Sequence, residues 1–355
     1  MPESRCTFFR LWHLTGAMFV AWSLAADCCA AAGETVELRW SGATECYEFD
    51  TGELFGAIQP YSWYHGVAGL VHRQNRVDVV WPRNAFLNAE YYLRPGSGPR
   101  MKPRELSSAK KTTHRLVDGT VILQFPPEPD YAFQMQLKYW PHGDAIDMQM
   151  TVAPSKDVPN FEIFFASYVT EAFSQTWVPL TGSDGPAQWT KLDNRGVRGR
   201  MFGIARDRDE LRRLDDGRWG KTLSDPAHCE LEDRFFHRPI LVARDPGSGL
   251  ALVFLCDPRQ TTFLAGQYHG WDTAHDWCYS ADLVASRPLV ASTRLIYRRF
   301  ANLNAMFREI DREWPSFVTD AKRDAEEQPR TGHRRDPCGG SNCARLPLRQ
   351  ACARR

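Results

Sequence analysis

The chain has 355 residues, 25% of them charged, and a formal charge of +1 at pH 7; a chain of this length can bury a sizeable core without covalent staples. The charge is uneven, because from Arg330 onward seven Arg stand against Asp336 alone, which leaves the body mildly acidic. An acidic globule with a short basic tail excludes a dedicated nucleic-acid-binding domain.

At the N-terminus Arg5 and Arg10 precede a largely apolar run over 11–26, followed by Ala30-Ala31-Ala32-Gly33. That is the order of a cleavable secretory signal, so residues 1–32 are expected to be removed and the mature protein to be secreted or periplasmic. A membrane anchor needs about 20 unbroken apolar residues, more than this run supplies, and no later segment approaches that length; no membrane contact is expected after cleavage. Asp27 before Cys28 speaks against a lipidation site. Of the ten cysteines, Cys46, Cys229, Cys256 and Cys278 lie in the body. An oxidising compartment permits disulfides among them, with three pairings open.

Strand patterns then dominate. Val36, Leu38 and Trp40 alternate with Glu37 and Arg39, and 120–125 is a further candidate. Phe133, Met135, Leu137 and Tyr139 alternate with polar residues, as do Ile146, Met148, Met150 and Val152, with Pro141-His142-Gly143-Asp144 between them. Residues 133–152 are therefore predicted to form a hairpin. Runs at 161–169, 240–243, 250–256 and 289–297 read as strands bounded by Pro, Gly and Asp clusters. Residues 181–234 form a Gly-, Asp- and Arg-rich insertion with one helical candidate at 207–214, the kind of segment that builds sites or lids. Leu303, Met306, Phe307, Ile310 and Trp314 mark a helical face after an Asn302 cap, and Pro315 is expected to stop the helix. No regular strand–helix alternation supports a parallel fold. The expectation is all-β: one large antiparallel β-sandwich over 33–300, a short C-terminal helical segment at 301–325, and a disordered basic tail at 326–355.

Three constellations could carry chemistry. In Tyr61-Ser62-Trp63-Tyr64-His65-Gly66 followed by His72-Arg73, aromatic rings suit the C–H face of a sugar, and an imidazole moves protons near neutrality. The alternative is that the rings are core residues and His65 a satisfied turn histidine. In the segment 268–277, His269, Trp271, Asp272 and His275 combine stacking surface with acid/base groups. It lacks the helical His spacing of a zinc protease, so no metal is expected; the readings left open are a sugar-lining loop and a structural one. A third set is Glu162, Glu171, Trp177, His228 and His237, with Glu171 at a strand end as an additional carboxylate. No Gly-x-Ser-x-Gly elbow, P-loop or dinucleotide fingerprint is present, and no cofactor is expected.

Tyr64-His65-Gly66 with His72-Arg73, the hairpin closing in Asp147-Met148-Gln149-Met150-Thr151-Val152, and Asp272-Thr273-Ala274-His275-Asp276-Trp277 ahead of 289–297 together resemble the galactose mutarotase-like supersandwich over roughly 35–300. The resemblance implies a concave face that binds carbohydrate, in a family of sugar epimerases and domains of polysaccharide-processing enzymes. The Asn/Thr/Asn/His block of aldose epimerases is absent, so mutarotase activity itself is not implied. The expected site places His65, His72, Glu171 and His275 as acid/base groups, with Trp63, Tyr64, Arg73, His269, Trp271 and Asp272 lining the sugar. The expected partner is a mono- or polysaccharide; the alternative is a non-catalytic glycan-binding or envelope-associated structural protein.

Overall fold

The computed structural model describes residues 36–127, 131–181, 186–192, 201–219, 229–269 and 272–326. The expected signal segment, the tail beyond Glu326, His228 and Trp271 lie outside these residues, as does the side chain of Asp272.

In chain order the elements are β1 (Glu37–Ser41), β2 (Cys46–Asp50), β3 (Leu54–Gln59), β4 (Gly66–His72), β5 (Asn88–Leu93), α1 (Lys102–Ser108), β6 (Thr113–Val117), β7 (Thr120–Phe125), β8 (Phe133–His142), β9 (Ala145–Pro154) and β10 (Val158–Thr170). There follow β11 (Gln175–Thr181), β12 (Gln188–Leu192), β13 (Met201–Ala205), α2 (Arg208–Arg213), β14 (Cys229–Leu231), β15 (Phe235–Phe236), β16 (Ile240–Arg244), β17 (Leu250–Cys256), β18 (Thr261–Tyr268), β19 (Asp272–Leu283), β20 (Leu289–Arg299) and α3 (Leu303–Glu326). Three sheets result. One is four-stranded, β1-β2-β3-β4; a six-stranded sheet runs β14-β13-β18-β19-β10-β5; a ten-stranded sheet runs β12-β11-β16-β17-β20-β9-β8-β7-β6, with β15 paired to β11. Pairing is antiparallel throughout except between β13 and β14.

The expected hairpin forms with Phe133 opposite Pro154 and His142 opposite Ala145. It turns on Gly143 at φ +48°, a left-handed conformation that glycine adopts without cost. The main core lies between the sheets. Ile163, Phe165, Trp277 and Tyr279 of the six-stranded sheet meet Leu137, Met150, Phe254 and Tyr297 of the ten-stranded one, closed at one end by Tyr47, Ile58 and Leu70. The fold class is thus an antiparallel β-sandwich.

Two features depart from expectation. Residues 272–283 form a central twelve-residue strand rather than a loop; both faces are buried, so polar and apolar residues mix along it. The C-terminal helix does not stop at Pro315 but runs 24 residues to Glu326. Met306, Ile310, Phe317 and Ala321 of α3 pack on Val242, Val253 and Ile296, across the outer face of the ten-stranded sheet. Burying Met306, Ile310 and Phe317 is worth about 1.5–3 kcal/mol each, enough to carry the helix through a proline. Asp320 adds an ion pair to Arg294 at 3.3 Å.

The remaining face, the outer side of the six-stranded sheet, holds a separate cluster of Phe164, Ala166, Tyr168, Phe263, Ala274 and Cys278. Trp219, from the expected insertion, packs on it.

Candidate functional site

Strand register decides which expected site residues can meet a ligand. On β19, His275 lies opposite Ser167 and Gly266, whereas Asp276 lies opposite Ala166 and Ala265. Successive strand residues point to opposite faces, so the two differ completely in surroundings. His275 turns into the core, stacks on Phe254 at 6.0 Å and shares a 3.1 Å hydrogen bond with the Thr176 hydroxyl of the opposite sheet. Burial pushes its pKa down to about 4. Asp276 turns to the outer face.

His65 also belongs to the core. Its Nε2 accepts from the Ala89 backbone N–H at 3.3 Å, its ring meets Phe125 edge-on at 5.1 Å, and burial, with the charge of Arg104, lowers its pKa to about 3. Gly66 at φ +104°, with the Phe86 carbonyl where a Cβ would stand, lets the chain turn from His65 into β4. His72 ends β4 against Tyr297 at 5.4 Å and accepts from the Gln74 backbone N–H; burial lowers its pKa as well. The common cleft expected for His65, His72 and His275 is therefore not formed. Each is a buried imidazole with its own neighbours, held neutral by desolvation. Arg73 is exposed and pairs with Asp50 at 2.5 Å, and Glu171 sits in an exposed turn after β10. Of the third set, Trp177 packs on Phe307 of α3, and His237 is exposed beside β15.

What the structure does assemble is a polar and aromatic group on the outer face. Trp63 and Tyr64, just before β4, stand beside Arg104 of α1: the guanidinium carbon lies 4.7 Å from the Trp63 ring centre, 4.2 Å from that of Tyr64 and 5.7 Å from that of Tyr91. Arg104 is 4% exposed and donates through Nη1 to Glu90 Oε2 at 3.1 Å and to the Tyr91 hydroxyl at 3.2 Å. The other oxygen, Glu90 Oε1, accepts from Asn88 Nδ2 at 3.0 Å and from the Tyr168 hydroxyl at 2.9 Å. Burial raises the Glu90 pKa, and Arg104, Tyr168, Asn88 and His269 oppose that rise. His269 stacks on Tyr168 at 5.8 Å, 25° from parallel, with Nε2 3.1 Å from Gln267 Oε1. A register shift on β10 opposite Ala89–Tyr91 places Glu90 and Tyr91 together.

Trp63, Tyr64 and His269 of the expected site are thus brought together, while Glu90, Arg104, Tyr168 and Asp276 join them without having been singled out. Arg104 sits on a seven-residue helix whose only sequence signal is Pro103 near its start. Trp63 is 39% exposed, and Tyr64, Tyr91 and His269 are half-buried, so the group presents rings and an imidazole to solvent over a fixed ionic floor. Among the described residues, no cluster of three or more His, Cys, Asp or Glu is placed to hold a metal, and no helix is long and apolar enough to cross a membrane. A cavity of about 390 Å³, lined by Arg259, Gln260, Asp282 and Arg287, lies at the opposite end of β19 from His269.

Fold and site together define an antiparallel β-sandwich with an aromatic, ion-paired group on one outer sheet face. No family model matches the sequence, and no curated protein matches it. Among solved structures, the chain is similar to a putative aldose 1-epimerase from Escherichia coli K12, with 9% identity over 72% of this chain and 99% of that one, at a TM-score of 0.47. It is also similar to a galactose mutarotase-like protein from Lactobacillus casei ATCC 334, with 8% identity over 71% and 100% of the chains, at a TM-score of 0.44. An alpha-N-acetylgalactosaminidase from Bifidobacterium bifidum matches at 11% identity over 77% of this chain and 39% of that one, with a TM-score of 0.47. The second carries the name of the family that the sequence resembles.

Proposed function

We propose that the outer face of the six-stranded sheet binds a saccharide, acting after export, with Trp63 and Tyr64 as the stacking platform and His269 as the proton-transfer group. The observation that carries this reading is the convergence of Trp63, Tyr64, Tyr91 and His269 around the buried Arg104–Glu90 pair. A sugar needs an apolar ring to lie on and fixed polar groups beside it, and an imidazole carries one nitrogen that can donate a proton and one that can accept it. Export rests on the ordered features of residues 1–32.

Holding a saccharide without turnover is the second reading. It is favoured by Glu90, whose two oxygens are committed to Asn88, Tyr168 and Arg104, which suits a scaffold better than a proton shuttle.

Titration calorimetry against a panel of neutral mono- and oligosaccharides tests both. Trp63→Ala should weaken binding by about five- to tenfold, the worth of one stacking contact. His269→Ala should abolish turnover under the first reading and leave binding within a few-fold under the second. Unchanged affinity in Trp63→Ala would overturn the platform. Intact mass of the protein from its native host tests export: retention of Met1–Ala32 in the soluble protein removes it.

A further inference from the structure

The insertion contributes a second polar group to the same face, and its hydrogen bonding is incomplete. Glu162 of β10, 3% exposed, accepts from the Thr262 hydroxyl at 3.1 Å through Oε2, while Oε1 has no hydrogen-bond partner. Above it stands Arg218, 1% exposed. Its Nε and Nη2 are spent on Asp216 within the same segment at 2.7–3.0 Å. Only Nη1 faces Glu162, at 3.7 Å, again without a hydrogen bond. Beside them the Trp219 indole lies on Phe164 and Phe263 at 5.5 and 5.3 Å, and its Nε1 donor is likewise unpartnered and buried. Three buried polar atoms thus lack partners where one short segment meets the sheet, an arrangement that costs the closed state free energy.

Among the described residues the backbone of the segment has few ties, although its Arg218 and Trp219 side chains are buried. Its backbone is held to the 94–98 turn by two hydrogen bonds, Gly96 N–H to the Asp216 carbonyl at 2.9 Å and Gly98 N–H to the Gly217 carbonyl at 3.0 Å. The bonds joining it to the end of α2 are long, 3.3–3.4 Å from Leu214, Asp215 and Asp216. Gly217 has φ +80°.

We propose that residues 215–219 form a gate over the inner half of the outer face, with Trp219 occupying a floor that a ligand ring takes when the gate swings away. The ligand is the saccharide of the preceding reading, on which that part of the proposal rests; the gate itself stands on the segment's own contacts. Opening would bare Phe164 and Phe263 as a stacking floor and free Glu162 and Arg218 to take hydroxyls as acceptor and donor.

The gate has a pH sense, which follows from the groups around Glu162. Thr262 of β18 donates to it, Ser280 and Cys278 of β19 lie alongside, Glu210 of α2 and Asp216 of the segment repel its charge, and Arg218 alone among these attracts it. Burial dominates and raises the pKa to about 7 from an ordinary 4.5. The closed state therefore binds the proton more tightly than an open, solvated one, so falling pH closes the gate and rising pH through about 7 opens it.

Hydrogen exchange by mass spectrometry on the ligand-free protein, corrected for intrinsic rates, reads this directly. Peptides covering 214–219 should be protected at pH 5.5 and lose protection several-fold by pH 8. Glu162→Gln, which cannot ionise, should stay protected at both. Arg218→Gln removes the one attraction and should move the opening to lower pH. A segment equally protected at both pH values in the natural protein, or a Glu162→Gln variant with the natural protein's pH response, overturns the gate. Neither outcome depends on saccharide binding, so a failure of that reading stays distinguishable.

Discussion

Arg104 and Glu90 are the residues on which the candidate site turns, and their energetics follow from burial. Both are nearly inaccessible, at 4% and 1%, so removing one strands the other's charge in a poor solvent. Arg104→Met should destabilise the protein by about 3–5 kcal/mol in urea unfolding, whereas pairing it with Glu90→Leu should recover much of the loss. A double variant as unstable as the single one would show that the Trp63 and Tyr64 stacking, not the ion pair, makes Arg104 indispensable. The site was only partly legible in the chain. Trp63, Tyr64 and His269 stood out because aromatic and imidazole groups cluster in sequence. Glu90 and Arg104 did not, because each lies in an element of six or seven residues, too short for periodicity to show. The histidines misled for a physical reason. His275 and Asp276 are neighbours in the chain yet face opposite sides of one strand, and composition carries no register.

Elements show where local propensity and tertiary packing disagree. Strands with one wet face were legible, as in β8, because alternation survives there. β19 was not, since both its faces are buried and its polar residues look like a loop's. α3 is the clearest override: Pro315 lacks the N–H that would bond Asp311 and crowds that carbonyl. Nevertheless Phe317 and Ala321 remain buried beyond it, and the Thr319 hydroxyl donates to the Pro315 carbonyl at 2.9 Å. Pro315→Ala should therefore stabilise the protein by about 1–3 kcal/mol, read as a rise in thermal midpoint. A fall instead would mean that Trp314 and Phe317 pack on the sheet only in the bent geometry proline imposes.

At the scale of the whole molecule, four titratable groups that desolvation shifts strongly, His65, His275, Glu162 and Asp78, bear on the pH profile of stability, and they pull in opposite directions. Burial lowers His65 to about 3 and His275 to about 4 from an ordinary 6.5. The unfolded chain therefore takes up protons first, and these two withdraw stability as pH falls below 6.5. Burial raises Glu162 to about 7 from 4.5 and Asp78 to about 6 from 3.8; there the folded state takes up protons first, and these two add stability as pH falls through those values. Between about pH 6 and 4.5 two gains oppose two losses, so the joint contribution of these four groups to the thermal midpoint should be nearly flat. Below 4.5 Glu162 has no more to give, and below 3.8 neither has Asp78; His275 continues to destabilise down to about pH 4 and His65 down to about pH 3, so the midpoint should drop over that range. Asp78→Asn offers the sharpest check. Asp78 Oδ1 accepts from the Leu70 and Val80 backbone N–H groups, and the amide keeps that acceptor while losing the titration. In that variant the plateau should tilt, with stability falling steadily from about pH 6 downward. A plateau that survives the change would mean that Asp78 does not supply the opposing proton uptake.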